Sequence, residues 1–517
     1  MNLAGTDLLL PDRMTPVAAI DALSARLTLQ EGAGAERDLR FYDTFDGLLH
    51  AAGLAFVHES GRAVLVEIED GTEHAGMPVA DPPRGIFANE LAPGPLRDAV
   101  AEIIEVRALL PLVHIHLAER SFGVLDSAAK TVVRLRIDTP TVVASPNRQL
   151  ALAPRIRIAA VRGYQKAFAR VRATLVDDLG LNATDRSVLD DAVIATGARP
   201  GGVSSKIDVA LARDQRSDSA VVSVLRRLAE VMESNLPGTI ADVDAEFLHD
   251  YRVAVRRSRA VMRELKTVFP PEQLARFRGE LRWLQQITGP SRDLDVYVLD
   301  FDQLRSGLAE PGRSDLAPLL RVLRDRRVIA HREMVRALRT DRAAELRAQW
   351  PAFLSELITL PADDRPDAIR PIGELADERI KKVYRRMVKM GAAIEDSSPA
   401  EALHELRKQG KELRYLLELF GLPLHPGDVV KPLLRALKSL QDTLGRHQDR
   451  EVQVAALRSF RDEVSTLRGG AGALMAMGVL IEHLGEDERA ARAEFAESFA
   501  SFASKPQRTL VKETFGA

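Results

Sequence analysis

The 517-residue chain has no cysteine, few aromatic residues and almost no net charge. Without cysteine it can form no disulfide, present no thiolate to a metal and use no thiol nucleophile, a composition typical of a cytoplasmic protein. Its 72 basic and 74 acidic residues nearly cancel, so a site for an anion must come from the arrangement of charges. Aromatic residues make up only 5% of the chain, which disfavours stacking on nucleic-acid bases.

Long apolar runs are also missing. No stretch of about 18 apolar residues occurs, so we expect neither a transmembrane helix nor a membrane partner. The N-terminus lacks the basic start and apolar centre of a signal peptide, which again predicts a cytoplasmic protein. The chain is too long for a single core, and two to four domains are expected.

The N-terminal part is predicted to be an α+β domain over residues 1–195. Helical patterns occur at Pro16–Leu27 and Pro95–Arg107. Strand-like runs, separated by Gly and Pro, occur at Leu39–Tyr42, Leu54–Val57, Ala63–Ile68, Val132–Ile137 and Ile156–Val161. The Gly- and Pro-rich stretch Thr196–Gly202 then predicts a linker over 196–215.

Residues 216–505 are predicted to be all-α. Long amphipathic segments rich in Leu, Ala, Arg and Glu are separated by short loops, such as those expected at Phe269–Pro271 and Gly289–Pro290. We expect two halves, at about 216–350 and 365–505.

An internal repeat supports this division. His249–Arg252 is followed 155 residues later by His404–Arg407, and Leu281–Gln285 is followed 156 residues later by Leu437–Gln441. Two motifs that recur in the same order and at nearly the same offset indicate a duplication. The sequence therefore predicts two similar helical bundles that face one another.

Each copy carries a basic stripe. At 3.6 residues per turn, positions three and four residues apart fall on one face of a helix. Beside the two stripes lie Arg257 and Lys408, and Glu418 follows the second stripe, where it is expected to weaken that end as an anion site. The first stripe consists of His249, Arg252, Arg256, Arg259 and Arg263, and the second of His404, Arg407, Lys411 and Arg414.

Two further basic runs are included in the predicted site. One has the same spacing without a histidine and continues to Lys389, and the other has steps of four and three residues. They are Arg379, Lys382 and Arg386, and Lys431, Arg435 and Lys438.

A basic stripe on a helix is often only a solvated face, but such faces usually interleave acids with bases. Here like charges are stacked three and four residues apart, which destabilises a helix unless an anion relieves the repulsion. Arginine binds phosphate oxygens in a bidentate manner and lysine acts as a mobile point charge. Stripes about 20 Å long therefore favour a linear array of phosphates, with nucleic acid as the competing ligand.

Other site chemistries are disfavoured. No HxxxH or HExxH spacing occurs, and arginines that flank the histidines would repel a cation, so no metal site is expected. The chain has no GxSxG motif and no cysteine, and we expect no catalytic residue and no cofactor.

These residues carry a resemblance to a known family. Leu248–Arg259, Arg292–Val296 and Leu403–Tyr415 resemble the motifs of the conserved-histidine α-helical domain (CHAD) family over roughly residues 216–505. The resemblance implies two four-helix bundles related by a pseudo-twofold axis, a basic channel that binds inorganic polyphosphate through the stripe residues, and association with polyphosphate granules. Gln448 replaces the arginine of the second Arg-Asp motif.

The N-terminal part resembles the CYTH, or triphosphate-tunnel, domain in a degenerate form, as a β-barrel or sheet with helices. The resemblance rests on Phe41–Asp46 and Leu48–Leu54. Tunnel enzymes open with an alternating Glu-x-Glu-x-Lys strand, which is missing here, and the late strand that usually offers acids is Arg155–Ile158. Phosphoryl transfer needs carboxylates to hold its metal, so we expect this domain not to be an enzyme.

The sequence thus predicts a non-enzymatic protein that binds inorganic polyphosphate, with granule-associated proteins as further partners. Two alternatives stay open: a metal-dependent triphosphatase acting through the N-terminal domain, and a nucleic-acid-binding protein. The sequence does not indicate an oligomeric state.

Overall fold

The structure, a computed structural model, describes residues 6–80, 85–145, 147–395 and 397–516. By its internal contacts the chain divides into two compact units, Met1–Ser204 and Ser205–Ala517. The division lies within the segment 196–215 that the sequence marks as a linker.

The first unit is built on an antiparallel sheet. Along the sheet the strand order is β12-β1-β11-β9-β8-β3-β4-β5-β6, with β10 paired to β9, and β2 and β7 paired to β8. The strands are β1 (Thr6–Leu9), β2 (Thr28–Glu31), β3 (Ala35–Asp43), β4 (Leu54–Glu59), β5 (Arg62–Glu67), β6 (Glu73–Pro78), β7 (Ile86–Phe87), β8 (Ala108–Leu125), β9 (Thr131–Ser145), β10 (Arg148–Ala151), β11 (Arg155–Ala160) and β12 (Asn182–Ala183).

Helices accompany this sheet, which confirms the predicted α+β class. The hydroxyl of Thr15 accepts the Ala18 amide at 3.2 Å and caps the first helix, where Pro16 stands at a position that needs no amide donor. The helices are α1 (Pro16–Ser24), α2 (Leu48–Ala51), α3 (Pro95–Ile104), α4 (Gln165–Ala173) and α5 (Val188–Ala195).

Alternation along the strands gives the sheet one apolar and one charged face. On β9, Val133, Leu135 and Ile137 are buried, whereas Arg134 is exposed and Arg136 half-buried. The apolar side chains join a core with residues of β11, α1 and α4. The opposite face of β9 is therefore free to carry charge.

The second unit is helical, as predicted. Its helices are α6 (Ser217–Ala241), α7 (Ala245–Glu264), α8 (Pro271–Leu299), α9 (Phe301–Ser306), α10 (Gly312–Asp315), α11 (Ala317–Leu338), α12 (Asp341–Glu356), α13 (Ile372–Ala392), α14 (Ala400–Leu416), α15 (Leu422–Leu424), α16 (Gly427–Ser459), α17 (Arg461–Ser465), α18 (Gly470–Phe502) and α19 (Lys505–Thr514).

The long helices of this unit form two similar sets. In the first, α6 packs on α7, α7 on α8 and α8 on α11; in the second, α13 packs on α14, α14 on α16 and α16 on α18. The sets meet through equivalent helices, because α6 contacts α13 and α7 contacts α14. The sequence repeat is therefore matched by a repeat of helix order and packing.

The two sets share a hydrophobic core. Val255 of α7, Phe277 of α8, Leu413 of α14 and Leu437 of α16 belong to one cluster and are at most 1% exposed. Burying such a side chain contributes about 1.5–3 kcal/mol. Since residues of both sets contribute, the core holds α7 and α14 side by side.

One predicted loop is wrong. Gly289–Pro290 lies inside α8 rather than between helices. Proline has no amide donor for the carbonyl four residues earlier, that of Gln286, and its ring crowds that turn. Side chains donate to the two carbonyls just before it. The Thr288 hydroxyl donates to the Leu284 carbonyl at 2.7 Å, and the Arg252 guanidinium donates to the Gln285 carbonyl at 2.9 Å.

Among the described residues, no helix combines the length and the apolar character needed to cross a membrane.

Candidate polyanion-binding site

Helix α7 presents the first basic stripe because its ends and its apolar side are fixed. The Asp244 carboxylate caps the helix by accepting the amides of Glu246 at 2.9 Å and Phe247 at 3.3 Å. Tyr251 and Val255 enter the core. The stripe residues therefore lie on the side of α7 that faces away from this core.

Arg252 and Arg256 are cations at the centre of this stripe. Arg252 is 8% exposed, and its guanidinium donates to two neutral groups, the Gln285 carbonyl and the Thr288 hydroxyl at 2.7 Å. Burial, followed by repulsion from Arg256, lowers the pKa of Arg252 to about 10. Within the described part of the chain, neither arginine has a carboxylate at ion-pair distance.

Arg259 extends this unneutralised group by one turn. Its guanidinium donates to the side-chain oxygen of Gln285, which is uncharged. Burial lowers the pKa of Arg259, and repulsion from Arg263, Arg282 and Arg278 lowers it further. The last two residues lie on α8, so cations from two helices converge beside Arg259.

Helix α14 brings Lys411 to the same region. Burial, then repulsion from Arg407 and Arg256, lowers the pKa of Lys411 to about 8, and Asp449 acts weakly in the opposite direction. Arg407 itself is paired with Asp449 at 3.0 Å. Because Arg256 on α7 affects Lys411 on α14, the centres of the two stripes adjoin.

Ion pairs join the two helices in the C-terminal halves of their stripes. Arg257 Nη2 lies 2.7 Å from Glu418, and Arg263 Nη2 lies 2.6 Å from Glu412. The Arg257 guanidinium also lies 5.8 Å from the centre of the Tyr415 ring. These contacts fix the distance between the stripes and commit both arginines to protein partners.

Glu418 has a second partner on its own helix. Arg414 Nε donates to Glu418 at 2.6 Å. Glu418 therefore neutralises part of the charge of Arg414 and of Arg257, at the end of the stripe where the sequence places a weaker anion site. Lys408 is likewise paired with an acid, since its ammonium lies 2.6 Å from Glu405.

The histidines at the other end of the stripes contact α8 and α16. His249 Nδ1 lies 2.9 Å from Nη2 of Arg292. His404 Nδ1 is bonded to the side-chain oxygen of Gln448. The two equivalent histidines thus have chemically different partners.

The basic run on α16 lies next to the second stripe. Lys431, Arg435 and Lys438 line a cavity of about 620 Å³ together with Arg414. Glu418 and Asp428 also border it, so this cavity has mixed charge.

The basic run on α13 is engaged elsewhere or exposed. Arg379 lies 3.5 Å from Asp367, and Arg386 donates to Gln409 at 2.9 Å. Lys382 is exposed. The described contacts do not bring this run into the cluster around Lys411.

Sequence reasoning missed the contribution of α8. Arg278 and Arg282 act on Arg259, and Gln285 binds both Arg252 and Arg259. The sequence contained a signal for this contribution. Arg282 is the repeat equivalent of Lys438, which belongs to the predicted site. Within the described ranges, no group of three or more His, Asp and Glu side chains is arranged to hold a metal ion.

The charged face of the N-terminal sheet has a different character, because its arginines are paired. Arg37 lies 2.7 Å from Glu59 and 3.2 Å from Glu119, and its hydrogen bond to Glu59 raises its pKa above the ordinary value. Arg136 lies 2.8 Å from Asp138. These cations are neutralised by protein carboxylates rather than left for an anion.

The arginines of β11 are also paired with carboxylates. Arg157 lies 2.6 Å from Asp7, and the fully buried Arg155 lies 2.6 Å from Asp191. Asp43, in the motif that resembles the CYTH domain, accepts the amides of Thr44, Leu49 and His50. Its carboxylate thus shapes the turn into α2.

The second unit defines a class of protein: an all-helical domain of two similar helix sets whose basic stripes adjoin. The CHAD domain family matches residues 223–458. The chain therefore contains a CHAD domain, which confirms the family predicted from the two histidine motifs. The antiparallel sheet of the first unit is consistent with the CYTH resemblance, which stays a prediction.

Similar proteins are known from bacteria and a plant. Two uncharacterized proteins from two strains of Mycobacterium tuberculosis are each 29% identical to this chain over 208 residues. The match covers 39% of this chain and 38% of the length of each relative.

Two solved structures are also similar. The crystal structure of the CHAD domain from the plant Ricinus communis has a TM-score of 0.47 and 23% identity, and the match covers 56% of this chain and 94% of that one. PptA from Streptomyces chartreusis has a TM-score of 0.43 and 19% identity, with 55% and 99% covered.

Proposed function

We propose that the second unit binds inorganic polyphosphate along the basic surface formed by α7, α14 and the adjoining faces of α8 and α16. The observation that carries the proposal is the group Arg252, Arg256, Arg259 and Lys411. Within the described residues none of them has a carboxylate at ion-pair distance, although Asp293 acts on Arg252 and Asp449 on Lys411. Burial together with repulsion from neighbouring cations disfavours the charged forms of Arg252, Arg259 and Lys411. An anion placed among them would remove that repulsion.

A linear polyphosphate suits this surface better than a single phosphate. From His249 to Arg263 the first stripe extends for about 20 Å at 1.5 Å per residue. Guanidinium groups at successive turns can each bind phosphate oxygens in a bidentate manner. The CHAD family supports a polyphosphate-related role in general, and the geometry supports the specific ligand.

Nucleic acid fits less well because base stacking has little support. Tyr415 is the aromatic residue of α14 beside the stripe, and its ring already contacts the Arg257 guanidinium. Single-strand binding normally combines a basic groove with aromatic rings on which the bases stack. Polyphosphate has the charge without the bases.

The test is a binding titration with long-chain polyphosphate. The double variant R256E/K411E should lose at least about a hundredfold in affinity, since each charge-assisted hydrogen bond contributes about 1.5–3 kcal/mol. The matched control is R332E, a charge reversal at an exposed position of α11, which should bind normally. Equal affinity of R256E/K411E and the wild-type protein would refute the proposal.

Competition separates polyphosphate from nucleic acid. Binding should weaken steeply with salt, as it does for other polyanion sites. Single-stranded RNA and duplex DNA, added at equal phosphate concentration, should not displace labelled polyphosphate. Displacement by either would support the nucleic-acid alternative.

We also propose that the first unit is not a phosphohydrolase. The pairing of Arg37, Arg136, Arg155 and Arg157 with carboxylates supports this, because an anionic substrate would have to compete with those ion pairs. Incubation with tripolyphosphate and Mg²⁺ or Mn²⁺ should release no phosphate. Metal-dependent turnover would establish the triphosphatase alternative.

Finally, we propose that polyphosphate binding places the protein at cytoplasmic polyphosphate granules, where it meets granule-associated proteins. A fluorescent fusion should collect on granules in cells that accumulate polyphosphate. The R256E/K411E fusion should stay diffuse. Granule localisation of that variant would show that localisation does not depend on the basic surface.

A further inference from the structure

The two equivalent histidines of the stripes have partners that favour different tautomers. His249 Nδ1 lies 2.9 Å from Nη2 of Arg292. A guanidinium has only donors, so Nδ1 of His249 must accept this hydrogen bond. The proton of the neutral ring is therefore on Nε2.

His404 has the opposite arrangement. Its Nδ1 is bonded to the side-chain oxygen of Gln448. The amide nitrogen of Gln448 points to Glu451, at 3.4 Å from its carboxylate, which is consistent with the oxygen facing the histidine. A carbonyl oxygen only accepts, so Nδ1 of His404 carries the proton and the neutral ring has a lone pair on Nε2.

The tautomers decide what each ring can offer to a phosphate. Phosphate oxygens accept hydrogen bonds and repel a lone pair. Neutral His249 carries its proton on Nε2, whereas His404 gains an Nε2 proton when the ring becomes an imidazolium. Protonation then adds both a donor and a positive charge, and charge-assisted hydrogen bonds are about twice as strong as neutral ones.

We propose that Gln448 is a positioning residue that makes His404 a pH-dependent phosphate contact, whereas Arg292 makes His249 a donor in its neutral form. This inference rests on the proposed function and adds its regulation. The affinity for polyphosphate rises as pH falls through the range in which histidines titrate. The two ends of the duplicated site therefore respond differently to pH.

Other charged groups contribute to the pH profile. Glu412 has a pKa raised to about 7, by burial first, and it titrates in the same range. A single pH profile of the wild-type protein is therefore not specific for His404. Charged groups on α14 and on the helices packed against it include Glu405, Arg407 and Lys408 on α14, Asp449 and Glu451 on α16, Arg256 on α7 and Arg386 on α13.

The experiment compares pH slopes among matched variants. Q448R reproduces in the second half the partner that His249 has in the first, and R292Q is the reciprocal change. Binding of long-chain polyphosphate is titrated at pH 8, 7 and 6. Between pH 8 and 6 the wild-type protein should gain roughly tenfold more affinity than Q448R, as expected for one charge-assisted hydrogen bond, and R292Q should gain more than the wild type.

Slopes rather than absolute affinities are compared, because Q448R adds a positive charge. Calorimetry in buffers of different ionisation enthalpy gives the protons taken up on binding. At pH 7 this number should be smaller for Q448R, and an effect on folding alone would not change it in this way. Equal slopes and equal proton uptake in the wild type and Q448R would overturn the inference.

A ligand-free measurement separates this inference from the proposed function. Nitrogen-15 spectra of selectively labelled histidine distinguish the tautomers, and Q448R identifies the His404 signal. Neutral His404 protonated on Nε2 would overturn the inference, whatever binds. Failure to bind polyphosphate at every pH, with the expected tautomers in place, would overturn the proposed function instead.

Discussion

Replacing Lys411 with methionine should stabilise the ligand-free protein while weakening its binding of polyphosphate. Burial, then repulsion from Arg407 and Arg256, lowers the pKa of Lys411 from 10.5 to about 8. Each tenfold change in the acid constant corresponds to about 1.36 kcal/mol, so the charged form costs up to roughly 3 kcal/mol, less what solvent screens. Methionine has a similar length and no charge, and K411M should gain about 1–3 kcal/mol in free energy of unfolding.

The pH dependence of this gain follows from the lowered pKa. At pH 7 Lys411 is charged in both states, and the folded protein bears the whole cost. Between about pH 8 and 10.5 the folded protein loses the proton before the unfolded chain does, so wild-type stability gains from this residue as pH rises. The advantage of K411M should therefore be largest at pH 7 and shrink toward pH 10.5.

Urea unfolding at pH 7 and pH 9.5, followed by circular dichroism, measures this difference. K382M is the matched control for stability, because Lys382 is an exposed residue of α13 and its replacement should change the free energy by less than about 0.5 kcal/mol. The reasoning is refuted if K411M is less stable than the wild type at pH 7, or if its advantage does not fall with pH.

Three further predictions concern the helical unit. Burial raises the pKa of Glu412 to about 7, so wild-type stability should fall as pH rises from 5 to 7, and E412Q should remove much of that slope in urea titrations. The reversal R263E should destabilise the unit, and R263E/E412R should recover stability with a coupling of about 1 kcal/mol in a double-mutant cycle. A Cβ at Gly238 would overlap the Phe247 ring, so G238A should lower the thermal midpoint, whereas G279A, where a Cβ meets no atom within 4 Å, should raise it by replacing a poor helix former.

Much of the fold could be predicted because its signals are local. The apolar run at Ala63–Ile68 corresponds to β5 and the helical pattern at Pro95–Arg107 to α3. Alternation and 3.6-residue periodicity report which face of a segment enters a core, whatever that core contains. The same periodicity placed both stripes on helices, and the motifs in order identified the CHAD domain.

The loop expected at Gly289–Pro290 is an example of a prediction from local sequence that fails. Proline usually interrupts a helix because it leaves a carbonyl without a donor and crowds it. In α8 the helix continues through Pro290, and the Thr288 hydroxyl and the Arg252 guanidinium donate to the Leu284 and Gln285 carbonyls, next to the Gln286 carbonyl that lacks its amide donor. Arg252 comes from another helix, so its contribution depends on packing that a local pattern does not contain.

The composition of the site was only partly predictable for a related reason. Periodicity selects every cation on a stripe, but whether a cation can meet a ligand depends on its carboxylate partner. Arg257 is paired with Glu418, which lies 161 residues away in the sequence. Likewise, the different tautomers of the two histidines depend on Arg292 and Gln448, which lie on other helices.

The two ion pairs between α7 and α14 also limit how the halves can assemble. Arg257 and Glu412 occupy equivalent positions of the repeat, as do Arg263 and Glu418, 155 residues apart in each case. The contact between Arg257 and Glu418 is therefore the counterpart of that between Arg263 and Glu412, with the charges reversed, as at an interface with local twofold symmetry.

Self-pairing of either half in this geometry would be repulsive. Two first halves would place Arg257 against Arg263, and two second halves would place Glu412 against Glu418, with like charges in a partly buried interface. Only a first half against a second half pairs every charge. These parts of the stripes are thus used for recognition between the halves, because Arg257 and Arg263 of the first half are paired with carboxylates of the second. The unneutralised cations are left at the centre, where a polyanion would bind.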